Sequence, residues 1–375
     1  MTRVLMLVTN AATHDPRVAN EAASLVKAGH EVTVLGWDRN GHAPPDEVRD
    51  GVRIVRVRNT LGMRLAVYDI FRLPPFWRLA YRRALALHRQ TPFSIVHAHD
   101  LDTLPVGVRL KETSGVRLVY DAHEIFPYMV EQSRAKRFAP RFERMERDLA
   151  GRADLVIAAG PAHRDYLAPM TSAPIVVVTN SKPLLSDAYE APRNERLTIA
   201  YLGGLDPARL LLPLAELTVE DGTFDAIVAG SGPLAAPIEE LAGRSSGRLR
   251  YLGVVPMVQV MPLTRGADVV YSVFDPSKRL NRIGAPNKFF EALVAGRPIL
   301  VSRGTWVGGE VERADCGLAI EYSKAALREA LAALRDDPAG RERMGRNSFR
   351  LARERYNWAN EEAALLRAYA GLGAA

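Results

Sequence analysis

The feature that most constrains the fold of this chain is a regular alternation of short apolar runs with segments of helical periodicity. The runs RVLMLV at 3–8 and EVTVLG at 31–36 enclose one such segment, which predicts a helix from about Pro16 to Ala28. Continuous Val/Ile/Leu runs joined by helices are typical of parallel strands that are buried on both faces. The pattern therefore predicts a doubly wound α/β architecture.

The alternation is interrupted once and then restarts. Residues 181–195 are polar, contain two prolines and show no periodicity, which indicates a linker. We therefore predict an N-terminal domain at 1–180, a second domain at 196–355 and an amphipathic helix at 356–375. Two Rossmann-like domains facing across a cleft are expected, with ligands at the carboxyl ends of the strands.

Composition narrows the classes of partner. The 375 residues include 50 basic and 43 acidic side chains, and the resulting charge of +7 favours anionic ligands such as phosphates. No nucleic-acid motif is present and the basic residues are dispersed, so nucleic acid is not expected as a partner. A single cysteine, Cys316, suits a reducing compartment, and neither a membrane-spanning run nor a signal peptide is evident. A cytoplasmic protein is the expectation.

The segment RIGAPNKFFEALVAGRPILVS at 282–302 carries the most specific chemistry. Gly284 and Ala285 precede a helix start, where a phosphate can approach the backbone amides. Lys288 can add a positive charge in the first turn, and Glu291, about one turn further on, can accept hydrogen bonds from ribose hydroxyls. The alternative is an ordinary helix whose lysine and glutamate form a solvated i,i+3 pair.

This segment, PNKFFEALVAGRP, resembles a sub-branch of the family-four glycosyltransferases of the GT-B fold. The resemblance implies a retaining, nucleotide-sugar-dependent enzyme without a metal or other cofactor, in which Glu291 binds the donor ribose. It also implies that the amides near Gly284 and Ala285 meet the diphosphate or the donor sugar. The family's first signature glutamate is replaced by Ile283, which bears on the choice of sugar.

Other donor positions follow from the same resemblance. Relatives carry an arginine and a lysine where this chain has Gly204 and Arg209. Arg209 and Lys288 are therefore the predicted cations for the leaving diphosphate, and the alternative for Arg209 is a solvated residue in a first helical turn. The resemblance further assigns donor-facing loops to four glycines, which read alone indicate little more than tight turns: Gly230, Gly232, Gly308 and Gly309.

In the first domain, His123 follows a predicted strand in VYDAHEIFPY. A histidine there can bind the transferring sugar or modulate the reacting oxygens, whereas the alternative is a satisfied core histidine. The neighbouring Asp121 and Glu124 favour the polar role, and the resemblance places His123 at the family's catalytic histidine. Glu124 is assigned to the acceptor side, and Asp100 either orients the acceptor hydroxyl or caps the next helix.

The loop TNAATHDPRVANE follows the first strand and contributes Asn10 and Arg17 to the acceptor side. Arg17 could bind diphosphate or an anionic acceptor, or it could be a helix-surface arginine. His97, His99 and Asp102 cluster after a neighbouring strand. Residue types alone would permit a metal there, but the resemblance implies none.

Residues 63–90 contain six arginines and one aspartate interleaved with aromatic residues. Either the aromatic side chains pack on the sheet and the arginines are solvated, or the segment contacts anionic lipid or a lipid-pyrophosphate acceptor. The second reading would place the protein at the inner face of the membrane.

The combined expectation is transfer of a hexose-type sugar from a UDP- or GDP-type donor to an acceptor hydroxyl. Bacterial polysaccharide, glycolipid and natural-product pathways all use such a reaction. Two alternatives remain open at this point: a nucleotide-sugar epimerase of the same fold, and a non-catalytic partner subunit.

Overall fold

The computed structural model describes residues 2–13, 15–66 and 68–373. The chain forms two compact α/β units. One contains the residues up to Thr179 together with those from Glu361 onward, and the other is Asn180–Asn360. The predicted fold class of two doubly wound α/β domains is confirmed.

The first unit is built on one sheet. Its strands are β1 (Arg3–Leu7), β2 (Glu31–Asp38), β3 (Asp46–Arg49), β4 (Val52–Arg58), β5 (Ile95–His99), β6 (Arg117–Ala122), β7 (Leu155–Ala158) and β8 (Ile175–Val177). Among the described residues they lie in the order β3-β4-β2-β1-β5-β6-β7-β8. Every neighbouring pair is parallel except β3 and β4. The polar edge strand β3 has no apolar run and was missed by the sequence pattern.

The helices of this unit connect the strands. They are α1 (Pro16–Lys27), α2 (Leu61–Arg64), α3 (Leu73–Gln90), α4 (Leu104–Ser114), α5 (Phe126–Glu131), α6 (Ala139–Ala150) and α7 (Pro161–Leu167). Helix α1 begins after Asp15, whose carboxylate accepts from the amide of Val18 at 3.2 Å. The predicted Pro16 start is confirmed, because aspartate at the N-cap and proline in the first turn both favour a helix start.

The second unit contains β9 (Thr198–Leu202), β10 (Asp225–Ala229), β11 (Leu249–Tyr251), β12 (Val269–Ser272), β13 (Ile299–Ser302) and β14 (Gly317–Ile320). Within the described part of the chain these strands form a parallel sheet in the order β11-β10-β9-β12-β13-β14. The strand order reverses direction between β9 and β12, as it does between β1 and β5 in the first unit. Ligands of such sheets bind at these switch points, beyond the carboxyl ends of the strands.

The helices after β9 are α8 (Leu211–Asp221), α9 (Ala235–Arg244), α10 (Met257–Gly266), α11 (Arg279–Ile283), α12 (Asn287–Ala295), α13 (Trp306–Ala314), α14 (Lys324–Asp336), α15 (Pro338–Glu354) and α16 (Trp358–Gly373). Helix α12 ends at Gly296, which adopts the left-handed conformation with φ of 64°. Glycine tolerates this conformation without the cost that a side chain would impose, so the predicted end of this helix is explained.

The polar segment 181–195 is packed against the second unit rather than extended from it. The Tyr189 ring contacts Phe349 at a centroid distance of 6.5 Å. The carbonyl oxygen of Glu190 accepts from Arg297 at 2.7 Å. These contacts order a segment that has no secondary-structure periodicity of its own.

Most of α16 belongs to the first unit. The carboxylate of Glu361 accepts from the amide and the hydroxyl of Thr179, at 2.8 and 2.6 Å. Leu365 and Tyr369 are buried, and the Tyr369 hydroxyl lies 2.6 Å from Nδ1 of His97. This helix therefore reaches the polar cluster at the carboxyl end of β5.

Removing the Glu361 carboxylate should destabilise the first unit. Glu361→Ala leaves the buried amide and hydroxyl of Thr179 without this acceptor, which is expected to lower the free energy of unfolding by about 1–3 kcal/mol. The neighbouring Glu362→Ala is the matched control, because Glu362 pairs only with the exposed Lys27, and a change below about 1 kcal/mol is expected. Urea denaturation of both variants measures the difference, and equal losses would contradict the assignment.

Candidate functional site

The carboxyl ends of β5 and β6 bring three titratable side chains together. His99 and Asp121 are register partners on these adjacent strands, and His123 follows two residues after Asp121. Nε2 of His123 lies 2.9 Å from Oδ2 of Asp121 and 2.9 Å from Nδ1 of His99. The predicted catalytic histidine therefore belongs to a hydrogen-bonded polar cluster, and its catalytic role stays a prediction.

Arg17 is the charge partner of this cluster. Its guanidinium makes two contacts with the Asp121 carboxylate, at 2.7 and 3.2 Å, and donates to the carbonyl oxygen of Val178 at 2.7 Å. Only 7% of Arg17 is exposed, so the reading as a helix-surface arginine is wrong. Proline at the start of α1 and the i,i+4 partner Glu21, 3.1 Å away, turn this side chain inward.

His123 carries a proton near neutral pH. Burial disfavours its charged form, but the carboxylates of Asp121 and Asp100 outweigh this effect and raise the pKa of the ring to about 9. Its side chain is 14% exposed, so the ring remains reachable from solvent. An imidazolium at this place can donate a hydrogen bond, but it is not ready to accept a proton.

Asp100 holds the backbone of the histidine loop. Its carboxylate accepts from the amides of His123 and Glu124, at 2.9 and 3.2 Å. Thr103, rather than Asp100, precedes α4, so the helix-capping alternative for Asp100 is wrong. Glu124 itself is exposed at the rim of the same loop.

Two further buried groups were not predicted as site residues. Glu21 is fully buried, and burial together with the nearby Asp121 raises its pKa to about 8. Tyr369 on α16 contacts His97. A signal for Glu21 existed in the sequence, since Arg17 and Glu21 form a charged i,i+4 pair beside the apolar face of α1. Tyr369 came from a distant segment and could not be associated with His97 from spacing.

The residue types of this cluster are those of metal ligands. One donor atom from each of Glu21, His97, His99 and Asp121 lies within 4.8 Å of the others. The Arg17 guanidinium already pairs with both carboxylates, which supplies the positive charge that a metal would otherwise bring. That this cluster works without a metal stays a prediction.

Asn10 lies in the loop after β1 at the switch point of the first sheet. Its side-chain amide donates to Asp15 at 2.8 Å and its side-chain oxygen accepts from the amide of Ala12 at 2.7 Å. The residue is exposed and shapes the loop. Its acceptor role stays a prediction.

In the second unit, Lys288 and Glu291 lie in α12 as predicted, but they are not a solvated pair. Their exposed fractions are 9% and 8%, and within the described residues neither forms an ion pair. The apolar neighbours Phe289 and Phe290 are fully buried and fix the helix on the sheet. The ammonium and the carboxylate are thus held one turn apart without a direct ion pair, although the charge of Glu291 still favours the charged form of Lys288.

Lys288 approaches the end of β9. Its Nζ lies 4.6 Å from the centroid of the Tyr201 ring. Burial, together with the charge of Arg209, lowers the pKa of Lys288 to about 8. This ammonium is therefore poorly solvated and available to an anion.

Arg209 is the second cation at this position. Its Nη1 donates to the hydroxyl of Tyr201 at 2.7 Å, and its guanidinium carbon lies 4.8 Å from the Phe274 ring centroid. The side chain is half-buried, and its role at a diphosphate stays a prediction. Tyr201 is the functional candidate that sequence reasoning missed, because a tyrosine within an apolar strand gives no signal of its own.

The predicted donor-loop glycines have different local roles. A Cβ at Gly230 would lie 1.9 Å from the carbonyl oxygen of Gly203, and one at Gly232 would lie 2.5 Å from that of Leu205. Both glycines therefore permit the close packing of two loops, and contact with a nucleotide stays a prediction.

The remaining glycines lie at helix ends. Gly308 and Gly309 are in the first turn of α13, where the amide of Gly308 donates to the Thr305 hydroxyl at 3.0 Å. The amide of Gly284 donates to the carbonyl oxygen of Leu280 at 2.9 Å and closes α11. This amide is thus already satisfied, and Ala285 follows it as a half-buried residue.

The basic aromatic segment 63–90 packs largely inward. Phe76 is buried and stacks on Trp37 at 4.5 Å, and Trp77 donates to the carbonyl oxygen of Asp102 at 2.6 Å. These contacts match the packing alternative for α3, and lipid contact stays a prediction. Across the described ranges, the structure contains no helix with both the length and the apolar character needed to cross a bilayer.

The Asp121 carboxylate is predicted to set the protonation of His123. Asp121→Asn should lower the pKa of His123 from about 9 toward 6.5, because the largest favourable charge is removed. A folded-state pKa above the unfolded value stabilises the fold below about pH 6.5, and this contribution disappears as pH rises through 9. Between about pH 6.5 and 9, the free energy of unfolding of Asp121→Asn should therefore decrease less than that of the parent protein.

An NMR titration of the His123 ring measures the shift. Asp154→Asn is the control, since Asp154 is a partly buried acid of the same unit that pairs with Lys111. Asp100→Asn, which removes a weaker contributor, should give a smaller shift in the same direction. An unchanged His123 pKa in both cluster variants would refute the assignment.

Comparisons with known proteins agree with this architecture. The family model for Glycosyltransferase Family 4 matches residues 17–181. The glycogen synthase of Mycobacterium tuberculosis is 23% identical, over 93% of this chain and 88% of its own length. Among solved structures, sucrose-phosphate synthase from Thermosynechococcus elongatus superposes with a TM-score of 0.83, at 17% identity and 99% coverage of both chains.

The HepE protein of Anabaena, solved in complex with UDP-glucose, superposes with a TM-score of 0.71 at 15% identity. That alignment covers 99% of this chain and all of HepE. These structures share the two-unit fold over their whole length, and the sequence relatives are enzymes that transfer sugars. The chain therefore has the two-unit GT-B fold of these structures, and its residues 17–181 match the family-4 glycosyltransferase model.

Proposed function

We propose that this enzyme transfers a hexose-type sugar from a nucleotide diphosphate sugar, of UDP or GDP type, to an acceptor hydroxyl, with retention of configuration and without a metal. The proposal rests on one observation above the others. Lys288 and Arg209 converge on Tyr201 without a carboxylate partner among the described residues. Two unneutralised cations at the switch point of a doubly wound sheet favour a diphosphate ligand.

The carboxylate of Glu291 supports the nucleotide part of the proposal. It is buried, and no described side chain hydrogen-bonds to it. Its oxygens remain accessible although the residue is largely buried, so they can accept hydrogen bonds from a ligand, and two ribose hydroxyls would supply them. HepE, which has the same fold, binds UDP-glucose.

The first unit supplies the groups that we assign to the transfer step. His123, protonated near neutral pH, donates a hydrogen bond to the sugar. Asp121 is paired with Arg17, and Asp100 accepts from two amides, so neither carboxylate is free to act as a covalent nucleophile. Catalysis would then come from positioning and from charge stabilisation of the leaving diphosphate.

The nucleotide proposal predicts measurable binding of a nucleoside diphosphate. Calorimetric titration with UDP, GDP, ADP and dTDP in the presence of EDTA should reveal a preferred ligand without added metal. Glu291→Gln should bind this ligand about 10-fold more weakly, since a charged acceptor of two hydroxyls is lost. It should also lose any preference for the ribose over the 2′-deoxyribose form of that ligand.

The control is Glu342→Gln, because Glu342 is an exposed residue of the same unit that pairs with Arg346. It should bind as tightly as the parent protein. Absence of binding by the parent would overturn the proposed function. A Glu291→Gln variant that keeps its preference for ribose would overturn only the ribose assignment.

Above pH 8, binding of the nucleoside diphosphate should be accompanied by uptake of a proton by the protein. Lys288 has a pKa of about 8 in the free protein, and a bound anion favours its charged form. Affinity should therefore decrease as pH rises through 8. Calorimetry at pH 8.5 in two buffers of different ionisation enthalpy measures the proton uptake, and Lys288→Arg should abolish it because guanidinium does not titrate there. Equal uptake in both proteins would assign the proton to another group.

A further inference from the structure

Tyr201 is the one described side chain that contacts both candidate cations. It is fully buried near the end of β9. Its ring lies 4.6 Å below the ammonium of Lys288, and its hydroxyl accepts from Nη1 of Arg209 at 2.7 Å. The same hydroxyl donates to the carbonyl oxygen of Gly204 at 2.5 Å. Tyr201 thus connects Lys288 in α12, Arg209 and the loop that follows β9.

The chemistry of tyrosine suits this position. Two like charges repel each other in a poorly solvated site, so they need a group that holds both. A carboxylate would hold them but would also neutralise them and compete with an incoming anion. The ring face attracts an ammonium and the hydroxyl oxygen accepts from a guanidinium, and neither interaction cancels the positive charge.

The loop after β9 leaves room for this arrangement. A Cβ on Gly203 would lie 2.5 Å from Nζ of Lys288 and 3.3 Å from its Cε. Gly203 also has a φ of 151°, which side chains rarely adopt. Glycine at 203 therefore suits the backbone conformation and leaves space for Lys288 in its present position.

We propose that Tyr201 is a positioning residue that holds Lys288 and Arg209 together so that both bind one diphosphate. It acts through the two cations and needs no contact with the ligand. The inference rests on the proposed function, because it names the device by which that site recognises a diphosphate in preference to a monophosphate.

The test compares affinities for UDP and UMP by calorimetry. The isosteric Tyr201→Phe removes the acceptor for Arg209 but keeps the ring beneath Lys288. The ratio of UDP to UMP affinity should fall about 10-fold, with little change in UMP binding. Tyr356→Phe is the matched control, since Tyr356 is a buried tyrosine of the same unit whose hydroxyl contacts Glu310 and neither cation.

A double-variant cycle separates positioning from a structural role. If Tyr201 acts through Arg209, Tyr201→Phe should add little to the loss caused by Arg209→Gln. Additive losses, an unchanged ratio in Tyr201→Phe, or equal losses of UDP and UMP affinity would each overturn the inference.

The parent protein serves as the reference for the proposed function. If the parent binds UDP weakly, the comparison of UDP with UMP is made instead with the preferred nucleoside diphosphate and its monophosphate. If it binds no nucleoside diphosphate, the proposed function fails and this inference fails with it. If the parent binds a nucleoside diphosphate but Tyr201→Phe leaves the ratio of diphosphate to monophosphate affinity unchanged, the inference about Tyr201 fails while the proposed function stands.

Discussion

The burial of the Lys288 ammonium without a carboxylate partner is the constraint on which the second unit's site depends. Burying an unpaired charge is unfavourable by several kcal/mol unless other groups or a ligand compensate. The fold offers partial compensation from the Tyr201 ring, and burial together with Arg209 lowers the pKa of the amine. Gly203 has no side chain and leaves the necessary space. Under the proposed function, a bound anion would add to this compensation at β9, its loop and α12.

In the first unit, by contrast, the buried cation is paired with a carboxylate. Arg17 is as buried as Lys288, but Asp121 pairs with it at 2.7 Å. That ion pair is internal and leaves no cation for a ligand. Its effect is passed on to His123, whose raised pKa comes chiefly from Asp121. Under the proposed function, the two units therefore contribute different chemistry: anion binding in the second, and a protonated hydrogen-bond donor in the first.

The sequence predicted the two-unit α/β fold well, because apolar runs and helical periodicity report local structure directly. It also located α12, since proline near its start and glycine at its end are strong local signals. It could not locate β3, whose polar residues form no apolar run and pair with arginines of β4. Tyr201 and Tyr369 were missed for a different reason: their roles depend on partners far away in the chain, such as Lys288 and His97. Arg17 was assigned to the right region but to a ligand, because nothing in its spacing shows that Asp121 already binds it.

The chain departs from the family pattern at Gly204 and at Ile283, and the structural surroundings of these two positions differ. A side chain at Gly204 would meet open space, while the adjacent Gly203 lies against the Lys288 ammonium. The absence of the family's arginine at position 204 is therefore not forced by packing. The family's glutamate at position 283 has no substitute among the described neighbours of Ile283, because the amide of Asn281 donates to Asp275 and Arg282 is exposed. Under the proposed function, the departure at 283 would concern recognition of the sugar rather than of the diphosphate, and the donor sugar is where we expect a difference from relatives that keep both glutamates.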